Sequence, residues 1–287
     1  MRNRLALILT GLGALTFGLS PLGAQLPFAS PKTAGQSVTP AYEGWYRNPD
    51  GTFSLSFGYL NRNAQEVVEI PIGADNFISP GAANQGQPTE FQPRRHWGVF
   101  AVKVPADFGS KEVVWTLKFR GATYAIPGTL HQNWQIDALE GEAGAGNTPP
   151  VLKFGSEGPE ARGPLGAVAG PITGKVTEPL ALSVWASDDG RTATSVAAAG
   201  RAGTGGRGAA AASVTLAWFK HQGPGKVTFT PATGRAAASG AEAKTSATFS
   251  EPGEYLLRVR ANDSAVAGAG HAQCCWTNAF LKVSVTR

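Results

Sequence analysis

An alternation of apolar and polar residues around a Pro-Gly turn constrains this chain more than any other feature of its sequence. The apolar residues that recur at every second position after Pro252-Gly253 are Tyr255, Leu257, Val259 and Ala261. A period of two is typical of a β-strand with one buried face. The residues before the turn, 247–251, have the composition of the end of another strand. We therefore predict a β-hairpin across 247–263.

The first 24 residues have the pattern of a secretory signal peptide. Arg2 and Arg4 precede an apolar run over residues 5–19, and Ala24 supplies a small residue for cleavage. The run is shorter than the roughly 20 residues of a membrane span, and no later stretch is apolar enough to form one. We predict export to the periplasm or the extracellular space, with no transmembrane segment after cleavage. An uncleaved N-terminal anchor is the alternative.

Charge and turn content narrow the class of protein. The chain carries 25 Lys and Arg against 20 Asp and Glu, and its longest basic run is Arg94-Arg95. This mild excess does not predict a nucleic acid partner. Only 16% of residues are charged, while Gly and Pro number 37 and 20, which favours short strands joined by many turns.

Strand patterns and composition divide the mature chain into four segments. Residues 25–40 are rich in Pro, Ser and Thr and are predicted to be a disordered lead-in. Residues 41–139 contain six or seven short strands, a spacing typical of a β-sandwich. Residues 140–174 form a Gly/Pro-rich linker, with one short strand at its apolar stretch 151–154. Residues 175–287 form the second domain.

The second domain carries a series of residues shared with a known type of extracellular domain. These residues are Trp218, Gly223-Pro224-Gly225, Val227, Phe229, Thr248-Phe249-Ser250, Pro252-Gly253, Tyr255, Leu257, Val259, Ala261 and Asp263-Ser264. They resemble PKD domains, especially the subgroup in which a Gly-Pro-Gly turn follows a Trp-containing strand. The resemblance implies an Ig-like β-sandwich that acts as a spacer or interaction module. It covers about 110 residues, and no family is recognised in the first domain.

The predicted fold class is therefore all-β, with two Ig-like or PKD-like β-sandwich domains in tandem after a signal peptide. Two features depart from the PKD pattern. Residues 191–213 and 231–243 are long Ala/Gly-rich segments, predicted to be loops because they bury little apolar surface. Residues 267–278 form an insertion of unassigned role.

The insertion contains His271 and the adjacent pair Cys274-Cys275. In an exported protein, adjacent cysteines can close into a strained disulfide ring, and strained disulfides are the more reducible ones. Four interpretations stay open. The pair is a structural ring, a redox-active or ligand-contacting ring, a soft-metal site with His271, or a site of pairing between chains.

Oxygen donors stand at the ends of two predicted strands, and they are Asp188, Asp189, Asn262 and Asp263. In an Ig-like sandwich these strand ends can lie at the same pole, and Ca²⁺ prefers oxygen ligands. The plainer interpretation is that Asp and Asn form turns there. No organic cofactor is expected, so the candidates are Ca²⁺ at these oxygen donors and the soft metal considered at His271, Cys274 and Cys275.

Aromatic and cationic residues of the first domain are the candidates for a ligand surface, and they are Trp45, Tyr46, Arg94, Arg95, His96 and Trp97. Exported β-sandwiches often bind partners through loops that carry such residues. Buried aromatic rings and solvated arginines explain the same residues without a ligand.

Enzyme motifs are weak. The sequence has no Gly-x-Ser-x-Gly elbow and no His-Glu-x-x-His motif, so no catalytic residue is predicted. We predict a non-enzymatic binding, adhesion or spacer protein of the cell surface or periplasm, with loops that contact a protein or a glycan. The alternative is a metal- or redox-linked accessory protein that uses His271, Cys274 and Cys275. A weak hydrolase in the first domain is a third possibility.

Overall fold

The protein is described by a computed structural model that places its residues in β-strands. The described residues are 32–139, 147–155, 157–190, 213–263 and 274–287. The predicted signal peptide, most of the predicted loop 191–213 and most of the insertion lie outside them. Within the described residues, the single helical element is a 3₁₀ turn at Gln132–Trp134, and no helix is long and apolar enough to cross a membrane.

The N-terminal half contains eight strands in three sheets. Their bounds are β1 Val38–Arg47, β2 Phe53–Asn61, β3 Val68–Glu69, β4 Asn76–Ser79, β5 Glu90–Phe91, β6 Arg94–Val104, β7 Glu112–Phe119 and β8 Ala122–Thr129. The sheet orders are β1-β2-β6, β4-β7-β8 and β3-β5. Aromatic side chains fill the space between the sheets, because Phe57, Phe91, Phe100 and Trp115 are all buried and in ring contact.

The described residues of the C-terminal half contain ten strands in two five-stranded sheets. Their bounds are β9 Val151–Lys153, β10 Ala161–Arg162, β11 Ala167–Lys175, β12 Leu180–Ser187, β13 Ser213–Gln222, β14 Val227–Thr230, β15 Thr233–Ala237, β16 Ser239–Phe249, β17 Gly253–Asn262 and β18 Trp276–Thr286. One sheet has the order β10-β9-β12-β16-β14 and the other β11-β18-β17-β13-β15. These sheets enclose a second core, so the all-β sandwich prediction is confirmed.

The predicted hairpin across 247–263 is wrong, because its two strands lie in opposite sheets. β16 pairs with β12 and β14, whereas β17 pairs with β13 and β18. The Pro-Gly turn therefore carries the chain from one sheet to the other. The Tyr255 hydroxyl donates to the Glu251 carbonyl at 2.7 Å and holds this crossing. Such a tyrosine corner, together with this division of strands, is typical of Ig-like sandwiches.

Several segments predicted to be irregular are ordered strands. The predicted linker contains β9, β10 and β11, and β11 runs parallel to β18 at the sheet edge. The predicted loop 231–243 contains β15 and the start of β16. In the lead-in, residues 32–40 are tied to the first half, since the Ala64 amide donates to Lys32 O at 2.9 Å. Backbone pairing with neighbouring strands orders these segments, and Leu152, Ala161 and Ala236 also contribute buried side chains to the second core.

The two cores meet across the outer face of β13, β17 and β18. Phe280 of β18 is 5% exposed and belongs to the core of the N-terminal half. The His221 ring lies 5.0 Å from the Phe280 ring, and the Thr89 amide donates to the His221 carbonyl at 2.8 Å. Side chains of one sandwich thus complete the core of the other. We call this contact the inter-sandwich interface.

A buried lysine connects the halves at one side of this interface. The Lys220 side chain is 1% exposed, and its Nζ lies 2.7 Å from Glu69 Oε1 and 3.1 Å from Glu90 Oε2. It also donates to the Gly225 carbonyl. Burial raises the pKa of Glu90, and Lys220 counteracts that effect. A buried charge of this kind is tolerated only with such partners.

Arg258 and Trp276 make the contacts on the opposite side of the interface. Arg258 Nη1 donates to Val99 O at 3.3 Å, and Trp276 Nε1 donates to Gly98 O at 3.3 Å. Gly98 has φ +46°, and a Cβ at this position would overlap the Trp276 indole. Only glycine allows this close approach without strain. The interface is therefore polar and buried, and the close approach of the Trp276 indole to Gly98 fixes how the two halves fit together there.

Replacing Lys220 tests the ion pair. The Lys220→Met variant leaves Glu90 without its buried countercharge, so we expect the free energy of unfolding to fall by about 3 kcal/mol. Chemical denaturation of both proteins measures the difference. Lys226→Met is the matched control, because Lys226 is exposed and the substitution should change stability by less than about 0.5 kcal/mol. Equal stability of Lys220→Met and the natural protein would contradict the account.

The interface also predicts a pH dependence. Burial lowers the pKa of His221 to about 3, whereas an unfolded histidine titrates near 6.5. Between these values the unfolded chain binds the proton and the folded chain does not, so stability falls as pH falls, by about 1.4 kcal/mol per unit.

The His221→Gln variant lacks this contribution. Between pH 7 and pH 5 we expect the free energy of unfolding of the variant to fall by about 2 kcal/mol less than that of the natural protein. Denaturant unfolding at both pH values measures the difference. The same substitution at the exposed His131 is the control. An unchanged pH dependence in His221→Gln would show that His221 is not a buried neutral group.

Candidate functional site

The candidate site is the pole of the C-terminal sandwich at which β12 and β17 end. We call it the acidic pole and define it as Asn147, Asp188, Asp189 and Asp263. β12 and β17 belong to opposite sheets, yet the carboxylates that follow them are close enough for Asp263 to affect the ionisation of Asp188. The ends of β12 and β17 that carry Asp188 and Asp263 are both part of this pole, and the predicted role of these residues in Ca²⁺ binding stays a prediction.

The direction of each carboxylate follows from the period of its strand. On β12, Val184 and Ala186 are fully buried, and Asp188 comes next on the same face. On β17, Ala261 is fully buried, and Asp263 follows with 3% exposure. The two sheets therefore direct one carboxylate each toward the end of the core between them.

The segment that precedes β9 closes the pole. Asn147 is 4% exposed, and its Nδ2 donates to Asp263 Oδ2 at 2.6 Å. The amide and hydroxyl of Thr148 both donate to Asp189 Oδ2, at 3.1 and 2.9 Å. A segment predicted to be a linker thus supplies polar groups to carboxylates that are far away in sequence.

Asp188 has the most unusual environment at this pole. Its Oδ2 accepts from the Gly190 amide at 3.0 Å, but its buried Oδ1 has no hydrogen-bond partner in the part of the chain that is described. Burial raises the pKa of Asp188 to about 6, and the neighbouring charges of Asp189 and Asp263 act in the same direction. The carboxylate is therefore held where its charge is poorly compensated.

Asn262 does not join the other three residues of the predicted set. It follows Arg258 and Arg260 on the outer face of β17, opposite to Asp263, because successive strand residues alternate between faces. Its buried Oδ1 also lacks a hydrogen-bond partner among the described residues. Asn262 is therefore separated from Asp263 by the sheet that contains β17.

The two cysteines form a disulfide next to the acidic pole. Cys274 and Cys275 are bonded to each other and are 1% and 2% exposed. Cys274 Sγ lies 3.9 Å from the Asn147 carbonyl oxygen. Disulfide sulfurs are not thiolates, which are the form that binds soft metals. His271 lies outside the described residues, so the role predicted for it with this pair stays a prediction.

Among the described residues, no group of three His, Cys, Asp or Glu side chains is arranged to hold a metal ion by itself. A cation at the acidic pole would need ligands of other types as well, such as amide or backbone oxygens. Ca²⁺ accepts such mixed oxygen ligands.

The predicted aromatic and cationic surface of the N-terminal half is not one surface. Trp45 pairs with Leu55 on β2, whereas Arg94 pairs with Asn61, six residues further along the same strand. Tyr46, beside Trp45, is 3% exposed and therefore unavailable to a ligand. The two groups of residues lie at different ends of the sheet.

Structural contacts account for Arg95, His96 and Trp97. Both oxygens of the buried Glu43 accept from Arg95 Nη2, at 2.7 and 2.8 Å, and the guanidinium stacks 3.8 Å from the Trp97 ring centre. The His96 ring stacks on Tyr59 at 5.0 Å. Burial lowers the pKa of His96 to about 4, so its imidazole is neutral at physiological pH.

Sequence patterns alone do not reveal two sets of residues. Asn147 lies in a Gly/Pro-rich stretch with no periodic signal. Lys220, His221 and Arg258 occupy strand positions that are also typical of a solvated face. For Lys220 and His221, the sequence offers one signal, which is their position between Trp218 and the Gly223-Pro224-Gly225 turn.

No protein-family model and no curated protein matches the chain. Among solved structures, the D00-D0 domain of intimin is 13% identical, covers 88% of this chain and all of its own, and gives a TM-score of 0.27. Fibronectin(III)-like modules of CbhA from Clostridium thermocellum are 11% identical, with 87% and 95% coverage and a TM-score of 0.20. WR4, a C. elegans MSP family member, is 8% identical, with 40% and 92% coverage and a TM-score of 0.23. With such low scores, the fold assignment rests on the sheets described above.

The burial of the disulfide predicts slow reduction in the native state. We expect reductant followed by a maleimide to leave Cys274 and Cys275 unlabelled under conditions that label both fully in denaturant. Mass spectrometry measures the labelling. Ser239→Cys places a thiol on an exposed residue and is the control, because it should react at once. Rapid reduction of the folded protein would contradict the structure and favour a redox role.

Proposed function

We propose that the protein is an exported, non-enzymatic module of the cell surface or periplasm that works as a stiff spacer and presents loops to a protein or glycan partner. The observation that carries this proposal is the inter-sandwich interface. Polar side chains buried between the halves fix them relative to each other, whereas a flexible linker would let them move. Export itself is tested by the N-terminal residue of the protein recovered from the periplasm, which we expect to be Gln25.

The partners of four buried titratable groups, Lys220, Glu43, His96 and His221, support a non-enzymatic role. Lys220 is held by two glutamates, and Glu43 by Arg95. His96 and His221 are buried against aromatic rings with pKa values lowered to about 4 and about 3. A general base works best with a pKa near the operating pH. These histidines instead serve packing.

The C-terminal sandwich supports a spacer or interaction role in a second way. Its tyrosine corner at Tyr255 and its division into two five-stranded sheets agree with the PKD-like assignment that the sequence motifs suggest. Domains of that type act as spacers or interaction modules in extracellular proteins. The PKD-like assignment is part of the proposal.

The alternative is an accessory protein that works through the Cys274–Cys275 disulfide. Burial of both sulfurs opposes ready exchange with other thiols, because exchange requires access to the disulfide. The labelling experiment above distinguishes this alternative from the spacer.

Stiffness is measurable as the width of an interspin distance distribution. Spin labels at Asp107→Cys, in the β6–β7 turn, and Lys226→Cys, in the β13–β14 turn, report on one half each, and both positions are exposed. We expect a single narrow distance distribution, because the interface holds the halves in one arrangement. The same labels in the Lys220→Met background should broaden it. A broad distribution in the unaltered background would overturn the spacer proposal.

A further inference from the structure

The acidic pole contains buried oxygen atoms that the described protein groups do not satisfy. Asp188 Oδ1 and Asn147 Oδ1 both lack a hydrogen-bond partner within the described residues. Buried polar atoms in folded proteins are almost always paired, and an exception points to a bound water or ion. These two atoms belong to residues that lie close together, because Thr148, next to Asn147, donates to Asp189, next to Asp188.

The charges at the pole indicate which kind of ligand is needed. Asp188, Asp189 and Asp263 place three carboxylates near one another, because the adjacent residues Asn147 and Thr148 donate to Asp263 and to Asp189. Like charges at such close range repel one another. Donors at this pole include the Asn147 amide on Asp263, the Thr148 groups on Asp189 and the Gly190 amide on Asp188 Oδ2. None of the described groups donates to Asp188 Oδ1. A positive ligand would relieve both the repulsion and the unpaired oxygens.

The chemistry of the donors selects the cation. All of them are oxygens, and the nearby sulfurs are joined in a disulfide, which excludes the thiolate ligands of zinc and copper sites. Among the described residues, no three carboxylates are arranged to hold a metal ion by themselves, so the ligand set must include amide oxygens and solvent. Ca²⁺ takes six to eight oxygen ligands in flexible geometry, whereas Mg²⁺ demands near-octahedral geometry and holds its waters.

We propose that Asp188, Asp263 and Asn147 bind one Ca²⁺ ion at the acidic pole. The ion joins the ends of β12 and β17, which belong to opposite sheets, to the segment before β9. Binding therefore locks the end of the C-terminal sandwich. The proposal goes beyond the spacer function and does not depend on it, because a protein with any role can carry a structural cation.

The first experiment measures the melting temperature of the mature, disulfide-bonded protein after EDTA treatment, with CaCl₂ or MgCl₂ at matched ionic strength. We expect a saturable rise with calcium, roughly 5 °C at 100 times the dissociation constant, and a much smaller rise with magnesium. Calorimetric titration should give one ion per chain. No calcium response, or an equal response to both salts, would overturn the proposal.

Variants separate ion binding from folding. Asp188→Asn removes a ligand and also a poorly compensated charge, so the melting temperature without calcium should not fall, while the calcium response should disappear. Asp107→Asn, at an exposed turn of the other half, should keep the full response. A calcium response retained by Asp188→Asn would overturn the site.

The variant Asn147→Asp gives the sharpest distinction from a purely structural hydrogen bond. It replaces the amide donor to Asp263 by another carboxylate, so the protein without calcium should melt at a lower temperature. Because the added charge is a better calcium ligand, calcium should restore the melting temperature and bind more tightly than to the natural protein. If calcium does not restore this variant, the Asn147 amide serves only to pair Asp263, and the proposal fails.

Discussion

The burial of Lys220 and Arg258 between the two sandwiches is the constraint on which the rest of the structure depends. Counted over the whole residue, Lys220 is 3% exposed and Arg258 is 2% exposed, and burial lowers the pKa of Arg258 to about 9. A charge can be buried at this level only where partners compensate it. The N-terminal half supplies those partners through Glu69 and Glu90 for Lys220 and through the Val99 carbonyl for Arg258. Without the N-terminal half, these buried charged groups would lack the partners named above. The two sandwiches therefore form one structural unit.

The same strands extend this constraint to the candidate site. β17 carries Arg258 at the interface and leads directly to Asp263 at the acidic pole. β18 begins at Trp276, whose indole packs on Gly98, and the disulfide stands immediately before it. The pole is therefore positioned by strands that are clamped to the other half. A cation at the pole would complete a continuous rigid path through the molecule.

Local patterns predict the strands well and their partners poorly. The alternation from Tyr255 to Ala261 identifies β17, but a period of two does not specify which strand lies beside it, so a crossing between sheets resembles a hairpin. Charged residues such as Arg258 alternate in the same way whether water or another domain covers them. Backbone pairing with β13 orders β15. Side-chain composition does not reveal such pairing, so it did not predict this strand.

The acidic pole was predictable only in part. Asp188 and Asp263 follow their strands on the buried face, and the same alternation separates Asn262 from them. Asn147 contributes through a contact with Asp263 that spans 116 positions of the chain, and no local signal encodes such a contact. Inward-facing acids at strand ends are therefore a better guide to this site than the presence of acids alone.

Native-state hydrogen exchange tests most directly whether the two sandwiches form one unit. We predict that the slowest amides of β2, in the N-terminal half, and of β17, in the C-terminal half, exchange with the same free energy of opening, equal to that of global unfolding. Both values should fall together in denaturant. If β2 amides open with a distinctly lower free energy while β17 stays protected, the halves unfold independently and the interface does not hold the structure together.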